Sequence, residues 1–393
     1  MRKTIIFFAL FACVCLNPGH SQAGNDTIVY LITCNPGTET YSIYGHSALR
    51  IVNKTDNTDL VYNWGVFDFS TPNFTWKFAR GRLEYMLAQE TMNNFLRTYL
   101  YEERAVFSQR INLLPDETRM LILLINENLK PENVKYLYDF FYDDCSTRIR
   151  DLLEKASGNK LLYPPEGSQK APTFRELTGK YEAPYPWLKF GIDLIMGSPG
   201  DKRATFREMM FLPLEMQRCL SETVINRNGR MVPLLQNPEV ILDFDPPAQY
   251  RKLIHAPENI FSLILILLLL LIIIPLSRKR SITIAADIVV FSLFSILALL
   301  MIFFNFFTDH QQMKWNLNII WLNPFIFMAL FSLITGRPGA LWFRIVLFIS
   351  VLFFVLHLLL PQDFNPGLLP LLLIMALRSS AHSGFVWNPF SFR

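Results

Sequence analysis

The chain has 393 residues, 51% of them hydrophobic and 14% aromatic but only 18% charged, against about 25% charged in an ordinary soluble domain. With a mean hydropathy of +0.24, a disordered or low-complexity protein is excluded. The net charge of +4 divides into +2 over residues 1–23, −3 over 24–260 and +5 over 261–393; no domain is basic, which argues against nucleic acid as a partner.

The N-terminus has the layout of a secretory leader: Arg2-Lys3, an apolar run Ile5–Leu16, and a small-x-small cleavage site at Ser21-Gln22-Ala23. A lipobox at Leu10-Phe11-Ala12-Cys13 competes, and its bulky Phe11 counts against it. Either route exports the adjoining domain. Strands are predicted at Thr27–Cys34, Ser47–Asn53, Leu60–Phe67 and Arg104–Asn112, all rich in Val, Ile, Tyr and Phe with partial alternation. Pro115 opens a predicted helix that runs to about Asn128, with acids in its first turn. Val134–Tyr142 is a further strand candidate. It leads into Asp143-Asp144-Cys145-Ser146-Thr147-Arg148, after which Ile149, Leu152, Leu153 and Ala156 repeat at helical spacing. Asp144 is a plausible N-cap, placing Cys145 in the first turn. The mixture is α+β.

Removal of the leader takes Cys13 and Cys15 and leaves Cys34, Cys145 and Cys219. An odd number in an oxidising compartment leaves at least one thiol unpaired. Cys145 is the candidate nucleophile, because N–H groups at a helix N-terminus lower a thiol pKa; the competing reading is a small buried hydrophobe. The exported region offers His46, at the mouth of a strand, and His255, which has the setting of a linker residue. His46 is the candidate base that holds and shuttles the thiol proton. A Gly-rich phosphate loop, Cys-x-x-Cys and His-x-x-x-His are all missing from the sequence, so phosphoryl transfer and structural zinc have no support. The adjacent pairs Asp143-Asp144 and Glu102-Glu103 would point to opposite faces of a strand and suit solvation or capping.

From Asn259 onward the chain is apolar. Asn259–Ser277, Ile282–Phe307, Leu317–Ile334 and Leu341–Leu360 are candidate spans, since about 20 residues cross a hydrocarbon core. Gly367–Leu377 is a shorter fifth, spanning or re-entrant. With the first span entering from outside, Arg278, Lys279, Arg280, Arg337, Arg344, Arg378 and Arg393 face the cytoplasm and only Lys314 lies outside, as the positive-inside rule requires. Asp287 and His357 are intramembrane ionisable groups, functional candidates by default; the plainer expectation is that both sit near an interface and reach headgroups. No repeated helix pair or run of buried charges suggests a transporter.

The blocks Tyr44-Gly45-His46-Ser47-Ala48-Leu49-Arg50, Tyr62-Asn63-Trp64-Gly65-Val66-Phe67-Asp68-Phe69, Asp144-Cys145-Ser146-Thr147-Arg148-Ile149-Arg150-Asp151, Phe190-Gly191-Ile192-Asp193-Leu194 and Gly197-Ser198-Pro199-Gly200-Asp201 together resemble the Bacteroidota lipoprotein N-acyltransferase (Lnb) family. The order of histidine before a helix-opening cysteine is also similar to circularly permuted NlpC/P60 and lecithin:retinol acyltransferase proteins. The resemblance implies a papain-like (circularly permuted NlpC/P60-type) α+β exported domain, residues 24–180. An accessory segment, 181–258, would join it to an all-α transmembrane domain of about five helices, 259–393. It implies Cys145 as nucleophile, His46 as base and Asn63 as third catalytic group, with Tyr62 and Asp68 as rivals. An amide would be expected where Asp144 stands. Tyr44, Tyr62, Arg148, Trp187 and Phe190 are the expected substrate-binding residues. The apolar segments Tyr185–Met196 and Met209–Leu212 would either line an acyl groove or pack the core.

The implied activity moves a fatty acyl chain from a phospholipid, through a Cys thioester, to the N-terminal amine of a diacylated lipoprotein. No cofactor or metal is implied. The implied setting is the inner membrane, multi-pass, with the N-terminal domain in the periplasm. A cysteine amidase or peptidase acting on cell-wall peptides is the alternative, or a non-catalytic membrane-anchored binding or assembly protein.

Overall fold

Strand alternation in the exported half produces a sheet with two buried faces. A computed structural model describes residues 26–165, 171–245, 255–273 and 280–384; the leader at 1–23, Arg278, Lys279 and Arg393 lie outside them. In chain order the first elements are β1 (Thr27–Cys34), β2 (His46–Asn53), β3 (Thr58–Val66), α1 (Phe74–Ala79), β4 (Glu84–Thr91), α2 (Met92–Tyr101), β5 (Val106–Arg110), α3 (Pro115–Asn128), β6 (Lys135–Leu137) and α4 (Cys145–Ala156). Next come β7 (Leu161–Leu162), α5 (Phe174–Glu182), α6 (Pro186–Ile195), α7 (Pro213–Glu222), β8 (Val224–Arg227), β9 (Arg230–Pro233) and β10 (Glu239–Leu242).

Seven strands form an antiparallel sheet in the order β10-β5-β1-β2-β3-β4-β6, and β7-β8-β9 form a small second sheet. One face of the main sheet, with Leu31, Leu49, Tyr62 and Trp64, packs against α3, α4 and α7 through Leu121, Ile149 and Met216. The other, with Ile32, Ala48 and Val61, is covered by Phe95 and Tyr99 of α2. The expected strand Val134–Tyr142 is cut to three residues. Asp139 ends it: its Oδ1 accepts the N–H groups of Phe141 and Tyr142 at 2.9 and 3.0 Å, an Asx turn that competes with the ladder. Cys34 lies under α2 and Cys219 under the opposite face. Cys34, Cys145 and Cys219 are free thiols, and the sheet separates Cys34 from Cys219.

The C-terminal region is helical: α8 (Pro257–Ile273), α9 (Arg280–Phe306), α10 (Asn318–Trp321), α11 (Phe325–Thr335), α12 (Ala340–Leu356) and α13 (Leu368–His382). Among the described residues three segments are long and apolar enough to cross a membrane: Ile282–Phe306, Asn318–Thr335 and Ala340–Leu359. Pro257–Leu270 and Leu368–His382 are shorter apolar helices, so of the about five expected spans three reach full length among the described residues. The expected span Leu317–Ile334 is interrupted where Pro324 cannot donate to the ladder and Asn323 Oδ1 accepts the Phe325 N–H at 3.1 Å. Asp287 also departs from expectation. It is 1% exposed and reaches no headgroup: Arg378, expected among cytoplasmic loop charges, grips it through Nε and Nη2 at 2.5 and 2.8 Å, and His382 Nε2 lies 2.6 Å away.

Two seams join the helical region to the exported half. In the first, Phe190 and Leu194 of α6 enter the core of the membrane helices beside Phe291 and Trp321. Around them Asn316 and Asn318 donate to the Leu194 carbonyl at 2.7 and 3.0 Å, and Asn365 donates to Asp193 at 2.8 Å. Arg175, 5% exposed, is held by Asp201 and the carbonyls of Met196 and Gly197. In the second seam the loop after α9 meets the loop after α1: Asp309 pairs with Arg82, and His310 Nε2 lies 2.9 Å from the Phe78 carbonyl.

Candidate active site

Asp144 builds the N-terminus of α4. Its Oδ1 accepts the N–H groups of Ser146 and Thr147, both at 2.8 Å, and Thr147 Oγ1 in turn accepts the Asp144 N–H at 2.7 Å. This reciprocal cap makes Cys145 the first residue of the helix. Its Sγ sits among the N–H groups of Ser47, Ser146 and Cys145 itself, which draw the thiol pKa down; burial outweighs them, and the thiol stands above its ordinary value. Ser146 Oγ lies 3.9 Å from Sγ and donates to Ser47 Oγ at 3.3 Å, fixing α4 to the start of β2.

His46 is placed by the turn before it. Gly45 has φ +84°, and a Cβ there would come within 2.8 Å of the Cys34 carbonyl oxygen, so only glycine brings the chain into β2 at this angle. His46 pairs with Cys34 across the ladder. Its Nε2 donates to Asn63 Oδ1 on β3 at 2.5 Å, which leaves Nδ1 as the basic nitrogen. Burial is the main influence on the ring and pushes its pKa to about 4; the Asn63 bond opposes this and the Arg104 charge adds to it. At neutral pH the imidazole and the thiol are therefore both uncharged.

Alternation places His46 and Asn63 in the register of one sheet face and Ser47, which touches the thiol side, in the other. The Cys145 thiol is thus tied to the start of β2 through the Ser47 N–H, on the face opposite the one His46 takes in the register. Among the described residues no hydrogen bond joins them, though the Asp144 carboxylate is close enough to raise the histidine. Asp144 itself is pushed well above the carboxylate range, by burial first and the neighbouring thiol second. The carboxyl group standing in place of the expected amide is therefore occupied in capping, and its burial disfavours the charged form.

The remaining expected residues divide. Tyr62, a rival third group, faces the core under α3 and α4. Asp68, the other rival, is tied to Ser70 N and Oγ at 2.8 and 2.7 Å and is not brought to His46. Arg148 grips Asp143 through Nε and Nη2 at 2.6 and 2.8 Å and lies 3.5 Å over the Tyr136 ring, bracing the loop before the cysteine. Tyr44 donates to the buried Glu182 at 2.8 Å, linking β2 to α5. Trp187 and Phe190 are drawn to the membrane helices instead of the thiol: Trp187 donates to the His255 carbonyl at 2.7 Å, and both rings meet Phe261. Met210, Phe211 and Leu212 are buried in the core of the exported half, and Phe190 and Leu194 are buried among the membrane helices.

Sequence reading missed the Ser47 N–H beside the thiol and the Tyr138 ring behind it. A Cβ at Gly65 would stand 3.7 Å from Cys145 Cβ and 3.6 Å from Tyr138; a glycine near the end of β3 is the signal that marks this spot. Among the described residues no group of three or more His, Cys, Asp and Glu side chains is arranged to hold a metal ion.

Residues 20–179 match the family model for the Lnb N-terminal periplasmic domain, and residues 249–387 match that for the Lnb transmembrane domain. Neither a curated protein nor a solved structure matches the chain.

Proposed function

The chain belongs to the Lnb family, and from that premise we propose that it is a membrane lipoprotein N-acyltransferase working through a thioester on Cys145. The observation that carries the reading is a free thiol at the first position of α4, bonded by the N–H of Ser47, the residue after a histidine whose Nε2 is committed to Asn63. A helix-opening cysteine on an antiparallel sheet, with histidine starting the neighbouring strand, also favours a papain-like domain in permuted NlpC/P60 order. The helical region is read as five inner-membrane spans, with α8 and α13 the short ones and the N-terminal domain in the periplasm.

In the first half-reaction the Cys145 sulfur attacks an ester carbonyl of a phospholipid as its proton passes to His46 Nδ1. The N–H groups of Cys145 and Ser47 face the developing oxyanion. The C–O bond breaks, the imidazolium returns the proton to the departing alkoxide, and lysophospholipid leaves an acyl thioester behind. In the second half the α-amine of a diacylated lipoprotein, with a pKa near 8, attacks the thioester. His46 takes one amine proton, the C–S bond breaks, and the sulfur recovers its proton as the amide forms. Asn63 fixes the ring in the tautomer both halves need. The uncharged resting pair suits a site that meets two lipid-borne substrates, because no ion has to be held in apolar surroundings between turnovers.

Mass spectrometry of lipoprotein N-termini tests this in cells whose only copy of the enzyme carries Cys145→Ala. Diacylated N-termini with a free amine are expected to accumulate; unchanged triacylated N-termini would rule the activity out.

A further inference from the structure

We propose that residues 69–82 form the seat where an outer-leaflet phospholipid docks before its acyl chain reaches Cys145. The destination rests on the acyl-transfer reading; the seat itself rests on separate observations. The segment Phe69-Ser70-Thr71-Pro72-Asn73-Phe74-Thr75-Trp76-Lys77-Phe78-Ala79-Arg80-Gly81-Arg82 carries four aromatic and three cationic side chains and no acid. Its helix, α1, buries no residue, and Phe69 and Trp76 are 69% and 57% exposed. Exposed aromatic surface interleaved with cations is the composition of an element lying at a bilayer interface, where rings sit at headgroup level and Lys or Arg meets lipid phosphate.

The fold puts this element at that level. The Trp76 ring lies 5.6 Å from Phe303, near the end of α9 remote from its Arg280 start. The Asp309 N–H donates to the Arg80 carbonyl at 2.8 Å, and Gly81 passes so close to His310 that a Cβ would lie 3.1 Å from its backbone nitrogen. The segment is thus clamped to the outer end of a membrane-crossing helix with its aromatic side uncovered. Arg80 stacks on Trp76 at 5.8 Å, so one cation lies over the ring that meets the span.

A row of ring contacts then leads inward: Phe74 to Phe67 at 5.7 Å, Phe67 to Tyr85 at 5.2 Å, and Tyr85 to Tyr138 at 4.4 Å. Tyr138 backs the Gly65 position beside Cys145. Lipid phosphate at Lys77 and Arg80 would leave the ester region near the start of this row and the chain against Trp76 and Phe78.

Photo-crosslinking of the full-length Cys145→Ser protein tests the seat without catalysis, in phosphatidylethanolamine vesicles doped with an acyl-diazirine phosphatidylethanolamine. Adducts are expected on peptides from 69–82, lost when Trp76→Ala and Phe78→Ala are combined and kept in Trp76→Phe. Labelling confined to α8–α13 would overturn the proposal. In the Cys145 protein, the combined variant should form acyl-enzyme from vesicle phospholipid about tenfold more slowly yet react normally with a soluble short-chain thioester. Equal slowing with both donors would also overturn it, since that marks a damaged active site. Labelling of 69–82 in a protein whose Cys145 never becomes acylated would uphold the seat and refute the acyl-transfer reading.

Discussion

At the scale of single residues, the proposed site rests on two groups, Cys145 and His46, that are both neutral at pH 7. His46 ionises only near pH 4, so it remains a competent base throughout the physiological range. The Cys145 thiol, raised by burial, should be alkylated faster with each step above neutrality, with no plateau below its ordinary value of 9.0. An early plateau near pH 7 would show a preformed thiolate pair instead. The histidine also bears on stability. Its folded pKa is depressed from 6.5 to about 4, so its contribution is intact above pH 6.5 and is lost as pH falls toward 4. A shift of that size corresponds to about 3 kcal/mol. Thermal unfolding of His46→Gln against the parent, followed across that window, should show the variant's disadvantage shrinking as pH falls. Asn63→Ala should lower the acyl-transfer rate about tenfold by freeing the ring. Asn63→Asp, by placing a charge on Nε2, should raise the histidine and give the pH profile an acidic limb that Asn63 does not have. The positions of Cys145, His46 and Asn63, after a cap, after a glycine and in a strand, were legible in the sequence because each is marked by a local signal. The Ser47 N–H was not, because a backbone donor has no residue type to betray it.

Among the elements, α4 is the one whose start carries the proposed nucleophile. Asp144→Ala should cost about 1 kcal/mol through loss of the cap and loosen the cysteine. Asp144→Asn keeps both acceptor and shape, and should leave thermal stability nearly unchanged while speeding Cys145 alkylation, since a titratable acid no longer neighbours the thiol. A large drop in melting temperature for Asp144→Asn would mean that the charge, not the cap, holds the helix. The strand Thr27–Cys34 and helix Pro115–Asn128 appeared in the sequence with the bounds they adopt, because β-branched alternation and a proline-led acidic turn are local signals. Glu84–Thr91 was missed: its strand is Glu-Tyr-Met-Leu-Ala-Gln-Glu-Thr, poor in β-branched residues and held by its neighbours β3 and β6. The end of β6 was overrun because one aspartate, Asp139, outcompetes an apolar run that otherwise has strand character.

For the whole molecule, the helical region is held together, and joined to the other half, by polar groups that no local pattern reveals. Asp287 and Arg378 are 91 positions apart, so charge counting assigned the arginine to a cytoplasmic loop and the aspartate to an interface. Removing one partner strands a buried charge, and Asp287→Ala should cost about 3–5 kcal/mol, visible as a lowered melting temperature in detergent. Pairing Asp287→Leu with Arg378→Met should recover most of it; no recovery would show that the ions do more than lock α9 to α13. The seams through Asn316, Asn365 and His310 hold the periplasmic domain against the membrane helices, as the proposed reaction between two lipid-borne substrates requires. The most direct test of that reaction is the intact mass of the full-length protein after incubation with phospholipid vesicles and no acceptor. The reading requires a fatty-acyl adduct on the peptide containing Cys145, released by hydroxylamine and discharged onto a diacylated lipopeptide when one is added. A protein that N-acylates the lipopeptide while Cys145 stays unmodified, or is replaced by alanine, would contradict it.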